Sequence, residues 1–472
     1  MPIPKEILAI ERPKNTRVKK SGNKYIVIKR TCVRKNGKNI PVELGKIGEI
    51  VEGKYYDTPK KEKKSDAYTI KEYGLTKALK DVSNDVFESL IKAYGIDEAK
   101  IIYTIAILRA AYGNVTNRDL KFRYATSYLS EMIPGVSLSE NSVSKFIDSL
   151  GRKYHLTTEF MNNKLKELND SNLVLVDGML KNSAVETSDF TAWSRKSRTK
   201  GRESVSILYA IDASTGEPLA EKVYPENMLD QTAFNDFLDE FDLKNAIIIG
   251  DKGTITTKVL LKLKERNNLS YLFPLKRNDN RIKSNNLYSY ESTFTHDNDT
   301  VLYKKTEIEG MYYYSFKNAS DEARERKGYL TLQNNRDTFD IEKFEKKEKG
   351  FGTIVFISDK DMTPQNIYQM YDRRWEIESF FDFYKNVIHL DSIRVQDDTS
   401  VIGSEFLNFI SSLISVKFKN KLRSHNINKK LSFKQIISYL TKIKKIQKLD
   451  GSWINCATLK YITELGDELG LI

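Results

Sequence analysis

Apolar and polar residues change period several times along the chain. Over the first 55 residues, short alternating runs such as KYIVIKR (24–30) are broken by turn-forming stretches such as KNGKN, which predicts short strands. From about 70 to 170 the apolar residues recur at helical spacing. Within that stretch, SLSENSVSKFIDSLGRKYH (137–155) sets a polar turn before Val143, Phe146, Ile147 and Leu150 on one helical face, with Ser139 or Ser142 as cap. The same letters serve a DNA recognition helix or a plain helical hairpin.

At Leu173 the character changes again. NLVLVDG (172–178) reads as an apolar strand ending in an acid and a glycine, and ESVSILYAIDASTGEPLAEKVYP (203–225) as two strands joined by an STGEP turn. DQTAFNDFLDEF predicts a helix. NAIIIGDKG (245–253) predicts a second apolar strand with Asp251 and Gly253 at its exit, followed by a helix from near Thr256. Strands and helices in this order predict an α/β sheet with short crossovers. TVLYKKTEIEGMYYYSFKN (300–318) and KGYLTLQNN (327–335) are strand-like and rich in aromatics, and they break the rhythm as an insertion would. GTIVFISD (352–359) resumes the apolar-strand pattern. TPQNIYQMYDRRWEIESFFDFYKNVI (363–388) predicts one long helix starting at Thr363, with Pro364 in its first turn, and a mostly helical tail follows.

These shifts divide the chain into a basic β-rich region (1–60) and a helical region expected to bind DNA (61–170). The first part of an α/β core (171–269), a mostly β insertion (270–350), the rest of the core (351–400) and a C-terminal helical region (401–472) come next. At 472 residues, with 40% hydrophobic and 11% aromatic residues, the chain has the composition of a folded multi-domain protein. The formal net charge of +13 is compatible with a polyanionic partner without requiring one. Arg12, Arg17, Lys19, Lys29 and Arg30 are among many N-terminal cations that suit either phosphates or a solvated sheet face. Two cysteines, Cys32 and Cys456, and four scattered histidines supply no structural zinc spacing, and the cysteine usage suits a reducing compartment. No uninterrupted apolar run of 18 residues and no signal-peptide pattern occur, so a cytoplasmic location without membrane partners is expected.

Asp177 and Asp251 stand next to the C-terminal ends of the two apolar strands, where open α/β sheets place ligands. Tyr371, Arg374, Glu378 and Lys385 fall within about a 60° stripe of one ideal helix. Arg374 and Glu378 are also spaced as an ordinary i,i+4 ion pair. Ile377, Phe380 and Phe381 lie at other angles and are expected to pack, as is Trp375. No glycine motif that would cradle a nucleotide phosphate follows any strand.

YDRRWEIESFFDFYKN resembles the Tyr-x2-Arg-x3-Glu-x6-Lys signature of the DDE transposases of the IS4-like superfamily, with Tyr371, Arg374, Glu378 and Lys385 at its four positions. LVLVDG and IIIGDKG resemble the segments around that family's first two acids, Asp177 and Asp251, and the likeness spans about 170–415. GEPLAEKVYPENMLDQTAF resembles the segment between them, with Glu226-Asn227 where many relatives have Gly-Asn. The resemblance implies an RNase H-like core interrupted by a mostly β insertion, for which the 127 residues between Asp251 and Glu378 leave room. It implies that Asp177, Asp251 and Glu378 are catalytic and bind Mg²⁺, with Mn²⁺ as substitute, in a site for two ions about 3.5–4 Å apart. Tyr371, Arg374 and Lys385 would bind DNA. The implied partners are double-stranded DNA, as terminal inverted repeats and target, and a second copy of the chain in a homodimeric synaptic complex on the nucleoid. The implied reaction cuts transposon ends and transfers their 3′-OH groups to target DNA without a covalent protein–DNA intermediate. All three tryptophans (Trp193, Trp375, Trp453) lie outside the expected insertion, where one type of relative stacks a flipped base. A DNA-binding regulator would share the charge but needs no three acids, and a non-transposing nuclease would need the acids but not strand joining.

Overall fold

The computed structural model describes the chain apart from residues 1–2, 23, 36–37, 58–67, 114, 169–171, 184, 186–188, 191, 194–202, 252–255, 267–268, 335–339 and 396. It forms two compact units, Met1–Thr69 and Ile70–Ile472.

The first unit is an antiparallel sheet of β1 (Thr16–Ser21), β2 (Lys24–Lys35), β3 (Lys38–Val51) and β4 (Lys54–Asp57), in that order. Val18, Val27 and Ile50 form its small core, against which Ile7 and Ile10, from and beside helix α1 (Lys5–Ala9), are packed. The strands are longer than expected because β2 and β3 pair along one extended hairpin, from Tyr25↔Ile50 to Lys35↔Lys38. Part of the cationic surface is neutralised within the sheet, where Glu43 pairs with Lys19 at 2.7 Å and Arg17 at 3.6 Å.

The N-terminal part of the second unit is mostly helical and includes α2 (Asn84–Tyr112), α3 (Asn117–Thr126) and α4 (Glu140–Arg152). In α4 the Ser139 hydroxyl accepts the Ser142 N–H at 3.3 Å, and Val143, Ile147 and Leu150 are buried. A mixed sheet follows, built from β5 (Asn172–Ser183), β6 (Glu203–Asp212), β7 (Pro218–Pro225), β8 (Ala246–Ile249), β9 (Leu269–Pro274), β10 (Ser292–His296), β11 (Asp299–Ile308), β12 (Met311–Asn318) and β13 (Thr353–Ser358). Its order is β10-β11-β12-β13-β9-β8-β5-β6, ending on the short Ala192–Trp193 strand, with β7 on β6. Along this order the parallel pairs are at the centre: β8 runs with both β5 and β9, while β6 and β13 run against their neighbours. Helices α5 (Asp230–Glu240) and α6 (Thr257–Lys264) follow β7 and β8 as the pattern predicts, and Thr256 caps α6 by accepting the Val259 N–H.

Three expectations need correction. KGYLTLQNN is not a strand: its described residues end helix α7 (Ala319–Asn334), whose many Ala, Glu, Arg, Lys and Leu residues favour helix over the local aromatic signal. The strands of the expected insertion, β11 and β12, are continuous with the main sheet through β13. The long helix 363–388 is split. Thr363 caps α8 (Pro364–Asp372), with Pro364 in the first turn as expected. The backbone then tightens through i→i+3 bonds at Arg374 and Ile377, resumes as α9 (Trp375–Asp382), and widens into a π-helical turn over Phe383–Val387.

Beyond it, β14 (Ser392–Ile393) pairs in parallel with Asn182–Ser183 at the far end of β5. Helix α10 (Asp398–Ser424) is long and apolar enough to cross a membrane by length and composition, but 89% of its apolar window is buried inside the protein. It crosses α4 backbone to backbone. A Cβ on Gly151 would run into the Thr399 carbonyl oxygen, and one on Gly403 into that of Ile147. The tail adds short strands at Lys444–Gln447 and Trp453–Asn455 to its helices.

Candidate active site

The register of the parallel pair places the first two acids side by side. Ile249 on β8 lies level with Leu175 on β5, and two residues further along come Asp251 and Asp177. Asp177 is therefore not at the end of its strand, as expected, but in the middle, because β5 continues to Ser183 along β6. What ends beside it is β8, and that termination opens a notch in the sheet. A cavity of about 220 Å³ there is lined by both aspartates. Gly253, expected at the exit of β8, lies outside the described residues.

Helices α8 and α9 bring the third acid. Arg374, at their junction, places Nη2 2.7 Å from Glu378 Oε1 and Nη1 3.5 Å from Asp251 Oδ1. The i,i+4 ion pair and the shared site thus coexist. The Asp177 carboxyl accepts the Gly178 N–H at 2.8 Å. Burial, followed by the negative charges of Asp251 and Glu378, pushes it from 3.8 up to about 6, with Gly178 and Arg374 opposing. The Tyr371 ring packs on Phe356 with centroids 4.4 Å apart and has the Arg374 guanidinium 5.9 Å from its centre. Burial raises its phenol, Arg374 opposes, and all three acids add to the rise. Tyr371, Arg374, Glu378, Asp177 and Asp251 therefore converge.

Lys385 does not join them on one open stripe. The π turn inserts an extra residue's worth of backbone before it, and its Nζ donates to the Leu180 carbonyl of β5 at 3.0 Å. Burial lowers its ammonium, with Asp391 opposing. Ile377 and Phe380 are buried as expected, but Trp375 is 68% exposed. Pattern reading assigned no role to Glu226 and Asp230, which line the cavity of Asp177 and Asp251; their place in the segment between the two acids was the available signal.

Beneath the site runs a buried ionic network. Lys181, four residues after Asp177, donates to both carboxylate oxygens of Glu405 on α10 at 2.8 Å. Tyr384 of the π turn accepts from Lys181 at 3.0 Å and donates to Glu405 at 3.1 Å. The network ties the strand of the first acid to the segment that follows the third.

Among the described residues, no three Asp, Glu, His or Cys side chains are arranged to hold one metal ion directly. The donor set nevertheless suits a hard divalent cation. Among the described residues, three carboxylates stand close enough for two of them to raise the third, with the Arg374 guanidinium opposing, an arrangement a divalent cation would relieve.

A mixed α/β sheet with acids from two adjacent strand segments and a neighbouring helix defines the class of site. Residues 170–403 match the family model described as the transposase DDE domain. The match supports a DDE transposase, an enzyme of DNA transposition from a family that generally uses divalent metal ions. No curated protein matches the chain. A solved structure described as the piggyBac transposase synaptic complex with hairpin DNA is 11% identical, with a TM-score of 0.42 over 80% of this chain and 82% of that one. A likeness of that size bears no functional weight.

Proposed function

We propose that the chain is an IS4-like transposase with an RNase H-like core that cuts DNA at the ends of its element and joins the freed 3′-OH groups to target DNA. The observation that carries this is the convergence of Asp177, Asp251 and Glu378 around Arg374 inside the segment that matches the transposase domain. Asp177, Asp251 and Glu378 would hold Mg²⁺ or Mn²⁺, which when bound neutralises charge on the phosphate and lowers the pKa of attacking water. In cleavage, a water oxygen attacks phosphorus and the P–O3′ bond breaks, leaving a 3′-OH and a 5′-phosphate. In joining, that 3′-OH attacks a target phosphodiester and displaces a target 3′-oxygen.

Arg374 would exchange its carboxylate partners for a phosphate once a cation satisfies the acids, and Tyr371, whose ring centre lies 5.9 Å from the guanidinium, would orient it. Lys385 keeps a phosphate role through the ammonium donors that Leu180 does not use. The protein's partners are terminal repeats and target DNA, and two ends require two copies of the chain in one complex on the chromosome.

Joining separates this reading from a nuclease of similar architecture. Incubated with Mg²⁺ or Mn²⁺ and DNA carrying the sequences that flank its coding region, the protein should yield 3′-OH ends and then joined products. Cleavage without joined products, using ends confirmed to bind, would favour the nuclease.

A further inference from the structure

A cavity with cationic walls lies away from the three acids. It has a volume of about 640 Å³ and runs between α3, α4 and the segment from β14 into α10. Its floor holds Arg109 of α2, which is only 4% exposed. Arg109 Nη1 donates to Asn408 Oδ1 at 2.8 Å and to the Ser404 carbonyl at 3.2 Å, but its buried Nε has no hydrogen-bond partner. The guanidinium, which also feels the charge of Glu405, adds a fixed positive charge under the cavity.

The walls supply the charge. Arg118, Lys145 and Arg394 all line the cavity. The acids that share it are engaged: Glu140 faces Arg118 at 3.5 Å, Asp148 holds Arg152 at 3.0 Å and Thr399, and Asp397 caps α10 through Ser400 at 2.8 Å. Lys145 and Arg394 are exposed and make no ion pair among the described residues. The cavity therefore presents two exposed cations, Lys145 and Arg394, without an acidic partner among the described residues, above the buried Arg109, which is the chemistry of a phosphate seat.

Its position connects it to the acids. Ser392, on its wall, belongs to β14, which pairs with Asn182 on β5, five residues beyond Asp177. Five strand residues span about 16 Å, close to five base-pair steps of about 3.4 Å. We propose that this cleft holds the phosphodiester backbone of the DNA bound at the acids, about five base pairs from the phosphate that is cut. Lys145 and Arg394 then contact phosphate oxygens from the walls. The face of α4 that carries Lys145 acts by gripping backbone beside the catalytic sheet, since its opposite face is fixed to α10 at Gly151. The proposal rests on the reading of the chain as a DNA-processing enzyme, and its test needs no catalysis.

Binding of the full chain to a labelled duplex is measured without divalent metal over a series of salt concentrations. Wild type is compared with Lys145→Glu/Arg394→Glu and with Lys434→Glu/Lys460→Glu, an equal change of charge on the C-terminal helices. Loss of two phosphate contacts should lower the slope of log Kd against log salt by about 2 and weaken binding about tenfold or more at moderate salt. The control pair should keep the wild-type slope. Thermal denaturation checks folding, and all four side chains are exposed. An unchanged slope and affinity in Lys145→Glu/Arg394→Glu, with wild type binding DNA normally, overturns the cleft and leaves the proposed function standing. A wild-type chain that binds no DNA overturns both.

Discussion

Asp177 is ionised at neutral pH at a cost, because its carboxyl is pushed up to about 6 by burial and by the two neighbouring acids. A carboxyl whose folded-state value exceeds the ordinary 3.8 binds more protons folded than unfolded. Its favourable contribution is complete below about 4 and is lost as pH rises to about 6. In metal-free protein, Asp177→Asn should therefore be more stable than wild type at about pH 7.5, by on the order of 1–2 kcal/mol because the group is only half-buried. The difference should shrink towards about pH 4.5; urea denaturation with a chelator present reads it, and a destabilised variant at neutral pH would contradict the repulsion described here. Two aromatic residues of the same helix should part ways as well. Phe380→Ala should cost about 3–5 kcal/mol, whereas Trp375→Ala should change stability by no more than about 0.5 kcal/mol. Both were expected to pack, and helical angle could not separate them because the backbone tightens immediately before Trp375, turning its side chain to solvent.

Among elements, the contact of α4 with α10 is the least forgiving. Gly151→Ala sets a methyl against the Thr399 carbonyl with no flexible side chain to yield, so it should destabilise by at least about 2 kcal/mol. A thermal midpoint equal to wild type would show that the helices can separate. The Lys181–Glu405 pair makes a second test. Lys181→Met alone leaves Glu405 buried without its cation and should cost about 3–5 kcal/mol, while Lys181→Met with Glu405→Leu should recover much of it. Neither feature was legible in the sequence, since Gly151 and Gly403 stand far apart in the chain and Lys181 reads as an ordinary polar strand position. The strands themselves were legible. NLVLVDG and NAIIIGDKG are apolar on both faces, as central parallel strands must be, and both are central. The single long helix was a misreading because periodicity reports the average turn, and the tight turn before Trp375 and the wide one at Phe383–Val387 hardly disturb it.

At the scale of the molecule, the sequence-order separation of Asp177, Asp251 and Glu378 is resolved by sheet pairing and by Arg374. Apolar-strand patterns and helix spacing singled out all three acids, but Asp177 was expected at a strand end rather than mid-strand, and their mutual placement was not legible. It depends on β8 ending two residues short of Asp251, level with the middle of β5. Lys385 shows the opposite case, a residue at the right spacing that backbone geometry sends to the Leu180 carbonyl. The account stands or falls on whether these three acids together perform the chemistry. The most direct measurement is Mg²⁺-dependent nicking of DNA by wild type beside Asp177→Asn, Asp251→Asn and Glu378→Gln, with DNA binding measured on the same preparations. Each substitution should reduce nicking by at least about a thousandfold while leaving the protein folded and able to bind DNA. Nicking at the wild-type rate by any one of the three would contradict it.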